Sequence, residues 1–287
     1  MAAMTSSLPL EDCALEKEDG TAATASIINK EGESSSIEDA LQVSALDMGH
    51  RIGNFHNYYT FHPPSARLQH MGPILDYVRD TSPRKRQRGM EDEERALPTP
   101  FRYCDLGCNE GDLTIEIATA LQGALQQPVE FKGMDIDAEL IQRANSKWKN
   151  IEHLSGTFEP GNICSDLDAK IEDRSMDLIS LLSTTMWVHV HAGDEGLKQV
   201  LEQLCRKSRR YLVIEPQPSK CYRNAVIRLR KMGRPELEVS SDRLKWRLKL
   251  DAEIEKTLKA CSFQRVLTGK ELTSWNRSIH LYEKKEG

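Results

Sequence analysis

YCDLGCNEG, from Tyr103 to Gly111, is the stretch that decides the fold. An apolar lead-in at Phe101, Tyr103 and Cys104 ends on Asp105. Gly107, Asn109 and Gly111 follow at alternate positions, and Leu113, Ile115, Ile117 and Leu121 open a helical pattern. The order is strand, tight glycine turn, helix. Such a turn lets a ligand approach the backbone and aims free amides of a helix N-terminus at it. Further on, FKGMDID ends a second apolar run at Asp135. An acidic residue at the tip of the second strand suits a ribose with two hydroxyls. Gly107, Asn109, Gly111 and Asp135 therefore read as binding residues for a nucleotide-type cofactor.

Working outward, strand-like apolar runs fall near 102–106, 130–135, 152–157, 176–183, 210–215, 262–268 and 278–284. Helical patterns lie near 112–125, 138–149, 195–208, 219–232 and 250–261. Strands alternating with helices predict an α/β fold with a parallel sheet covered on both faces. DLISLL and YLVIE are continuously apolar, as central strands must be. The last two strands are separated by a short turn, Gly269 to Ser274, and predict an antiparallel pair. A parallel sheet closed by such a pair suits the class I (Rossmann-like) seven-stranded methyltransferase sheet better than a dehydrogenase. The glycine spacing agrees. G-x-N-x-G lacks the middle glycine with which G-x-G-x-x-G makes room for a pyrophosphate. S-adenosyl-L-methionine has no phosphate, so Asn109 is tolerated there.

The chain has 287 residues, enough for one domain and a tail. No run of 18 apolar residues suggests a membrane span, and no basic-then-apolar leader suggests export. Seven cysteines, an odd count without a C-x-x-C pair, fit reduced thiols in the cytosol or nucleus. Cys104 and Cys108 bracket the glycine turn, but no second Cys/His pair at ligand spacing supports zinc, and no metal is expected. Residues 1–50 hold ten acidic side chains and two lysines, net −8. The whole chain is −5, so residues 51–287 carry 37 basic and 34 acidic groups, net +3. An acidic tail thus hides a mildly basic body, compatible with a polyanionic partner.

Residues 1–50 are rich in Ser, Ala, Thr and Glu, lack aromatics, and read as a disordered acidic tail. From residue 51 the character changes. Phe55, Tyr58, Tyr59 and Phe61 crowd a short stretch that reads as a packing lid or as a platform for stacking a base or ribose. Arg67 follows, placed either to grip a cofactor carboxylate or to form a surface ion pair. Residues 79–100 form a charged, proline-bounded insertion in which Arg84, Lys85, Arg86 and Arg88 precede Glu91 to Glu94. It reads as a solvated loop, a nuclear signal or a phosphate contact.

In an open α/β sheet, ligands bind beyond the carboxyl ends of the strands. That rule brings together the glycine turn, Asp135, Thr157 and Phe158 after strand three, Leu182 and Ser183 after strand four, and Glu215-Pro216-Gln217-Pro218 after strand five. Thr157 and Phe158 are expected beside an adenine, with the start of a loop as the plain alternative. Trp187, His189 and His191 are expected in the loop after strand four, where a histidine serves as general base or as a hydrogen-bonded neighbour. SKCYRNAVIRLRKMGR then combines an apolar face with Lys220, Arg223, Arg228, Arg230, Lys231 and Arg234, either a cradle for an RNA end or a solvated face.

Read together, GNFHNYY at 53–59, DLGCNEGDLT, MDID, LSTTMWVHVHAGDEGL and EPQP resemble the Bin3-type RNA methyltransferases. FHPPSARL, KCYR with RLRKMG, and TSWNRSIHLY resemble the small RNA 5′-monophosphate branch of that family. The resemblance spans residues 51 to 284. It implies methyl transfer from S-adenosyl-L-methionine to the 5′-phosphate of a small RNA, such as a histidine tRNA or a microRNA precursor. It also implies cofactor contacts at Arg67, Asn109, Asp135, Thr157, Phe158 and Leu182. Ser219 departs from the tryptophan usual after EPQP, and Thr157 from an Asp or Asn. A 5′-phosphate is already anionic at neutral pH, with a second pKa of ~6, so no catalytic base or metal is expected. Tyr58, Lys220 and Arg223 are the expected phosphate and RNA contacts. The remaining readings are capping of a triphosphate end, a non-catalytic cofactor-binding RNA chaperone, and a methyltransferase for proteins or small molecules. The protein is expected to be monomeric and cytoplasmic, with the nucleus as the alternative.

Overall fold

A computed structural model describes His56, Tyr58–Phe61 and residues 63–82, 99–231, 243–269 and 277–285. The expected acidic tail, Phe55, most of the 79–100 insertion, Arg234, and the side chains of Arg228, Arg230 and Lys231 lie outside the described residues. A single turn, α1 (Tyr58–Phe61), precedes helix α2 (Pro64–Thr81). Then come β1 (Phe101–Leu106), α3 (Asp112–Leu125), β2 (Val129–Asp135), α4 (Ala138–Lys147), β3 (Leu154–Pro160) and the short α5 (Leu167–Lys170). The second half holds β4 (Met176–Leu182), α6 (Thr185–Lys207), β5 (Ser208–Glu215) and α7 (Ser219–Lys231). It ends with a 3₁₀ turn (Lys245–Leu248), α8 (Leu250–Ala260), β6 (Phe263–Thr268) and β7 (His280–Lys284).

The strands form one seven-stranded sheet in the order β3-β2-β1-β4-β5-β7-β6. The first five pair in parallel, and β7 enters antiparallel between β5 and β6. Alternate side chains serve the two faces. Tyr103, Phe131, Leu178 and Val213 pack with α2, α3 and α4, while Cys104, Met134, Ile179 and Leu212 pack with α6 and α8. Strands buried on both faces must be apolar throughout, which is why DLISLL and YLVIE read so clearly. Cys104 and Cys108 fall into these two opposite cores. Among the described residues no helix is long and apolar enough to cross a membrane, and no cluster of His, Cys, Asp or Glu is placed to hold a metal ion.

Two expectations about elements are corrected. Strand three runs to Pro160, so the rim expected at Gly156 to Phe158 lies further on, at Pro160 to Asn162. A proline is tolerated there because β3 is an edge strand. The segment after strand four is helix rather than loop: α6 begins at Thr185 and is broken only at Gly193, whose φ is 72°. Helix α2 follows a Pro-Pro pair, and Pro64 occupies the first helical turn, where a missing N–H costs nothing. Its buried face is Arg67, Met71, Ile74, Leu75 and Val78, a helical spacing.

Candidate active site

The glycine turn is stitched to its own neighbours. The amides of Gly107 and Cys108 donate to the Met134 carbonyl at 2.7 and 3.1 Å, and that of Gly111 to the Cys108 carbonyl at 3.0 Å. The amide of Asn109 donates to Asp135 Oδ2 at 2.9 Å, and that of Glu110 to Asn109 Oδ1 at 2.9 Å. All five amides from 107 to 111 thus have acceptors inside the protein. The helix N-terminal amides expected to face a ligand belong to the first turn of α3, from Asp112 on, while the glycine turn's own amides are engaged. A turn so engaged suits a cofactor without phosphates.

Gly107 and Gly111 have φ near 79° and 81°, where a side chain is strained. A Cβ at 107 would lie 2.3 Å from Thr184 Oγ1, and one at 111 would lie 2.5 Å from the Phe158 ring. The glycines therefore let the turn close against the β4 exit and against β3. Asn109 sits left-handed at φ 53° and is 9% exposed.

Asp135 ends β2 almost buried. Its Oδ2 accepts from Asn109 and its Oδ1 from the amide of Asp137 at 3.0 Å. Each oxygen thus keeps a second lone pair for a ribose hydroxyl. Burial pushes its pKa above the usual carboxylate value against the pull of these two amides. Ile136, beside it, is exposed. Asp105 is buried one strand away and accepts from Thr114 and Ser180 hydroxyls, both at 2.6 Å. It holds β1, α3 and β4 together at the site floor.

The aromatic lead lies on the turn. Tyr59 donates to the Cys108 carbonyl at 3.2 Å, and His56 Nε2 sits 3.0 Å from Asp137, the residue that caps α4. Tyr58 packs edge-on to Tyr59 and accepts from Arg67 at 3.0 Å. Arg67 projects from α2 into the mouth between β4 and β5. It also donates to Ser183 Oγ at 2.9 Å and Glu215 Oε2 at 3.3 Å. Nearby carboxylate and phenol oxygens hold its pKa above the ordinary arginine value despite the opposing pull of burial. Leu182 closes β4 and its carbonyl accepts from Thr184.

The other candidates take different places. Thr157 is exposed in mid-β3 opposite Lys132, and Phe158 is buried opposite Gly133, its ring beneath the turn. Both stand back from the carboxyl rim because β3 continues past them. Lys220 and Arg223 are exposed on the first turn of α7. His189 is buried between Tyr222 and Asp194, at 2.8 and 2.7 Å. Burial lowers its pKa, against the pull of Asp194. The EPQP segment gains two functions. Glu215 anchors arginines, and Gln217 Oε1 accepts the Met186 amide at 2.7 Å to cap α6. Sequence reasoning missed Arg277. Its Nη1 donates to Ser183 Oγ at 2.6 Å and lies 3.9 Å from Glu215.

Comparison with known proteins agrees with this arrangement. The family model of Bicoid-interacting protein 3 (Bin3) matches residues 176–284. A pre-miRNA 5′-monophosphate methyltransferase of Danio rerio is 33% identical, covering 81% of this chain and 91% of that protein. Its Xenopus laevis counterpart is 30% identical, covering 80% and 91%. The Homo sapiens RNA 5′-monophosphate methyltransferase is 30% identical, covering 82% and 81%. The fold is that of the S-adenosylmethionine-dependent methyltransferases. A crystal structure of the CurJ carbon methyltransferase superposes with a TM-score of 0.50 at 15% identity, covering 89% of this chain and 72% of that one. On its relatives' identity over four-fifths of its length, the chain belongs to the Bin3 family of RNA 5′-monophosphate methyltransferases.

Proposed function

We propose that the protein methylates the 5′-monophosphate of a small RNA, using S-adenosyl-L-methionine. The single observation that carries the reading is an arginine pair directly beside a glycine turn whose own amides are all engaged. Arg67 and Arg277 converge on Ser183 and Glu215, and Thr184, the next residue, packs against Gly107. An anionic acceptor and a phosphate-free donor are what such neighbours suit. The relatives' names support the same acceptor.

The residues present fit the cofactor. Asp135 would take the ribose hydroxyls, the Gly107–Gly111 turn with Asn109 and Leu182 the body of the molecule, and Arg67 the carboxylate. When bound, S-adenosyl-L-methionine supplies an electrophilic methyl group on a sulfonium. The protein's part is placement, which alone supplies about 7–11 kcal/mol in well-oriented reactions. No base is required, because the phosphate is ionised at neutral pH. Glu215 is committed to Ser183 and Arg67. Tyr58, Lys220 and Arg223 would contact the phosphate and the RNA behind it.

A U6 snRNA methylphosphate capping enzyme of Drosophila melanogaster is also similar, 28% identical over 60% of this chain, which keeps a triphosphate end as the second reading. Radiolabelled cofactor and one RNA bearing a hydroxyl, a monophosphate or a triphosphate end decide between them. Label on the monophosphate RNA alone is the expected result. Equal labelling of RNA whose 5′-phosphate has been removed with phosphatase beforehand overturns it. Cys104, Cys108, Cys164, Cys205, Cys221 and Cys261 are free thiols, which supports a reducing compartment. A monomeric, cytoplasmic protein is part of the proposal, checked by light scattering and fractionation.

A further inference from the structure

We propose that Arg277 is a phosphate-contacting residue of the acceptor site, with Ser183 and Glu215 as its positioning residues. The inference rests on the proposed 5′-phosphate acceptor and names the group that reads it. Three segments distant in sequence meet here: Ser183 after β4, Glu215 at the end of β5, and Arg277 just ahead of β7.

The hydrogen bonding of Ser183 is forced by charge. Its Oγ accepts from Arg67 Nη2 at 2.9 Å and from Arg277 Nη1 at 2.6 Å. Guanidinium groups accept nothing, so the one hydroxyl hydrogen goes to Glu215 Oε2, which it reaches. One donor and two acceptors are thereby filled. Ser183 holds this post at φ 55°, a left-handed conformation that a non-glycine residue seldom adopts. Strain of this kind persists where the surroundings fix it and clusters at functional sites.

Among the described residues the cluster brings two guanidiniums to one carboxylate. Only one of its charged members reaches the surface appreciably: side-chain exposure is 0% for Glu215, 4% for Arg67 and 16% for Arg277. Cys221 Sγ, at 3.5 Å from Nη2, steadies the far edge of the Arg277 fork. Arg277 thus presents a held guanidinium at the rim, and such a fork matches phosphate geometry. The position is right for the acceptor, since Ser183 precedes Thr184, which touches the cofactor turn at Gly107. Glu215 has a further effect. Methylation removes a negative charge from the phosphate, and an unopposed arginine would favour the substrate over the transition state. The buried carboxylate, 3.9 Å from Arg277, moderates that pull.

The test compares one short RNA with a 5′-phosphate and with a 5′-hydroxyl. The wild type binds the phosphorylated form more tightly. In Arg277→Ala that preference is expected to shrink by about ten-fold or more. Affinities for the hydroxyl RNA and for S-adenosylhomocysteine stay within about two-fold. Arg277→Lys keeps the charge, loses the fork, and restores the preference in part. Ser183→Ala raises KM for the phosphorylated RNA more than it changes kcat, the mark of lost ground-state positioning. If Arg277→Ala is unstable, the wild type gives the answer through phenylglyoxal labelling. Phosphorylated RNA should protect Arg277 and hydroxyl RNA should not. Equal labelling, or a phosphate preference undiminished in Arg277→Ala, overturns the proposal while leaving phosphate methylation intact. An Arg277-dependent preference in a protein that transfers no methyl group would instead overturn the proposed reaction alone.

Discussion

Asp135 performs two tasks with one carboxylate. It fastens the glycine turn through the Asn109 amide and its own loop through the Asp137 amide, and in the proposed site its remaining lone pairs would take the ribose hydroxyls. Asparagine has one acceptor oxygen where two are in use. Asp135→Asn should therefore raise the Kd for S-adenosylhomocysteine about ten- to hundred-fold, read by calorimetry, and an unchanged Kd would remove Asp135 from the cofactor site. The pH dependence has a definite sign. Burial raises the folded-state pKa, so the acid's contribution to stability is fully present below its unfolded value of about 3.9 and is lost as pH rises through the folded value. Ionised Asp135 opposes folding at neutral pH. The stability of the wild type relative to Asp135→Asn should accordingly decline from acid toward neutral pH in thermal melts. The carboxylate whose ionisation opposes folding is the one that a pair of hydroxyls would satisfy.

At the level of elements, helix α6 shows what the sequence could and could not convey. Val188 and Val190 are poor helix formers, and Gly193 breaks the run, so the segment reads as a loop with histidines free for chemistry. Tertiary burial overrides that preference: Met186, Trp187, Val188, His189 and Val190 are all buried. Asp194, just past the break, accepts from His189 and from the amides of Lys245 and Trp246 at 3.0 and 3.1 Å. It thereby ties α6 to the 3₁₀ turn. Burial raises the Asp194 pKa, but these donors outweigh it and hold the carboxyl below its ordinary value. Its contribution is then present above about pH 3.9 and lost as pH falls through the folded value. Asp194→Ala should cost about 2 kcal/mol at neutral pH, roughly 4–8 °C in Tm, with the gap closing in acid. The pH profile of kcat should stay the same, because both ring nitrogens of His189 are bonded within the protein, to Tyr222 and Asp194; a displaced profile would return it to the chemistry. The parallel strands were legible because burial on both faces demands unbroken apolar runs. Asp135 was legible because strand and acid adjoin in sequence. Arg277 was not, since only the insertion of β7 between β5 and β6 brings it to Ser183. Thr157 and Phe158 were misplaced by where β3 ends, a matter of a few residues that apolar patterning does not resolve.

On the scale of the whole molecule, charge separates two kinds of RNA contact. The body carries net +3 behind an acidic first fifty residues, and Lys220 and Arg223 stand exposed on α7, beyond the rim where Arg277 is held. A buried guanidinium reading one terminal phosphate should give end selectivity with little dependence on RNA length. Exposed cations that follow the chain should give affinity without selectivity, and their contribution is countable through ion release. For single-stranded nucleic acid, each neutralised phosphate adds about −0.7 to the slope of log K against log salt. Replacing both Lys220 and Arg223 by alanine should therefore flatten that slope by about 1.4 units. It should weaken phosphorylated and hydroxyl RNA alike and leave S-adenosylhomocysteine binding as it was. Filter binding across a salt series measures all three. An unchanged slope would mean that α7 faces solvent in the complex and that the RNA leaves the rim by another surface. A slope change confined to the phosphorylated RNA would instead bring these side chains to the terminal phosphate itself, beside Arg277.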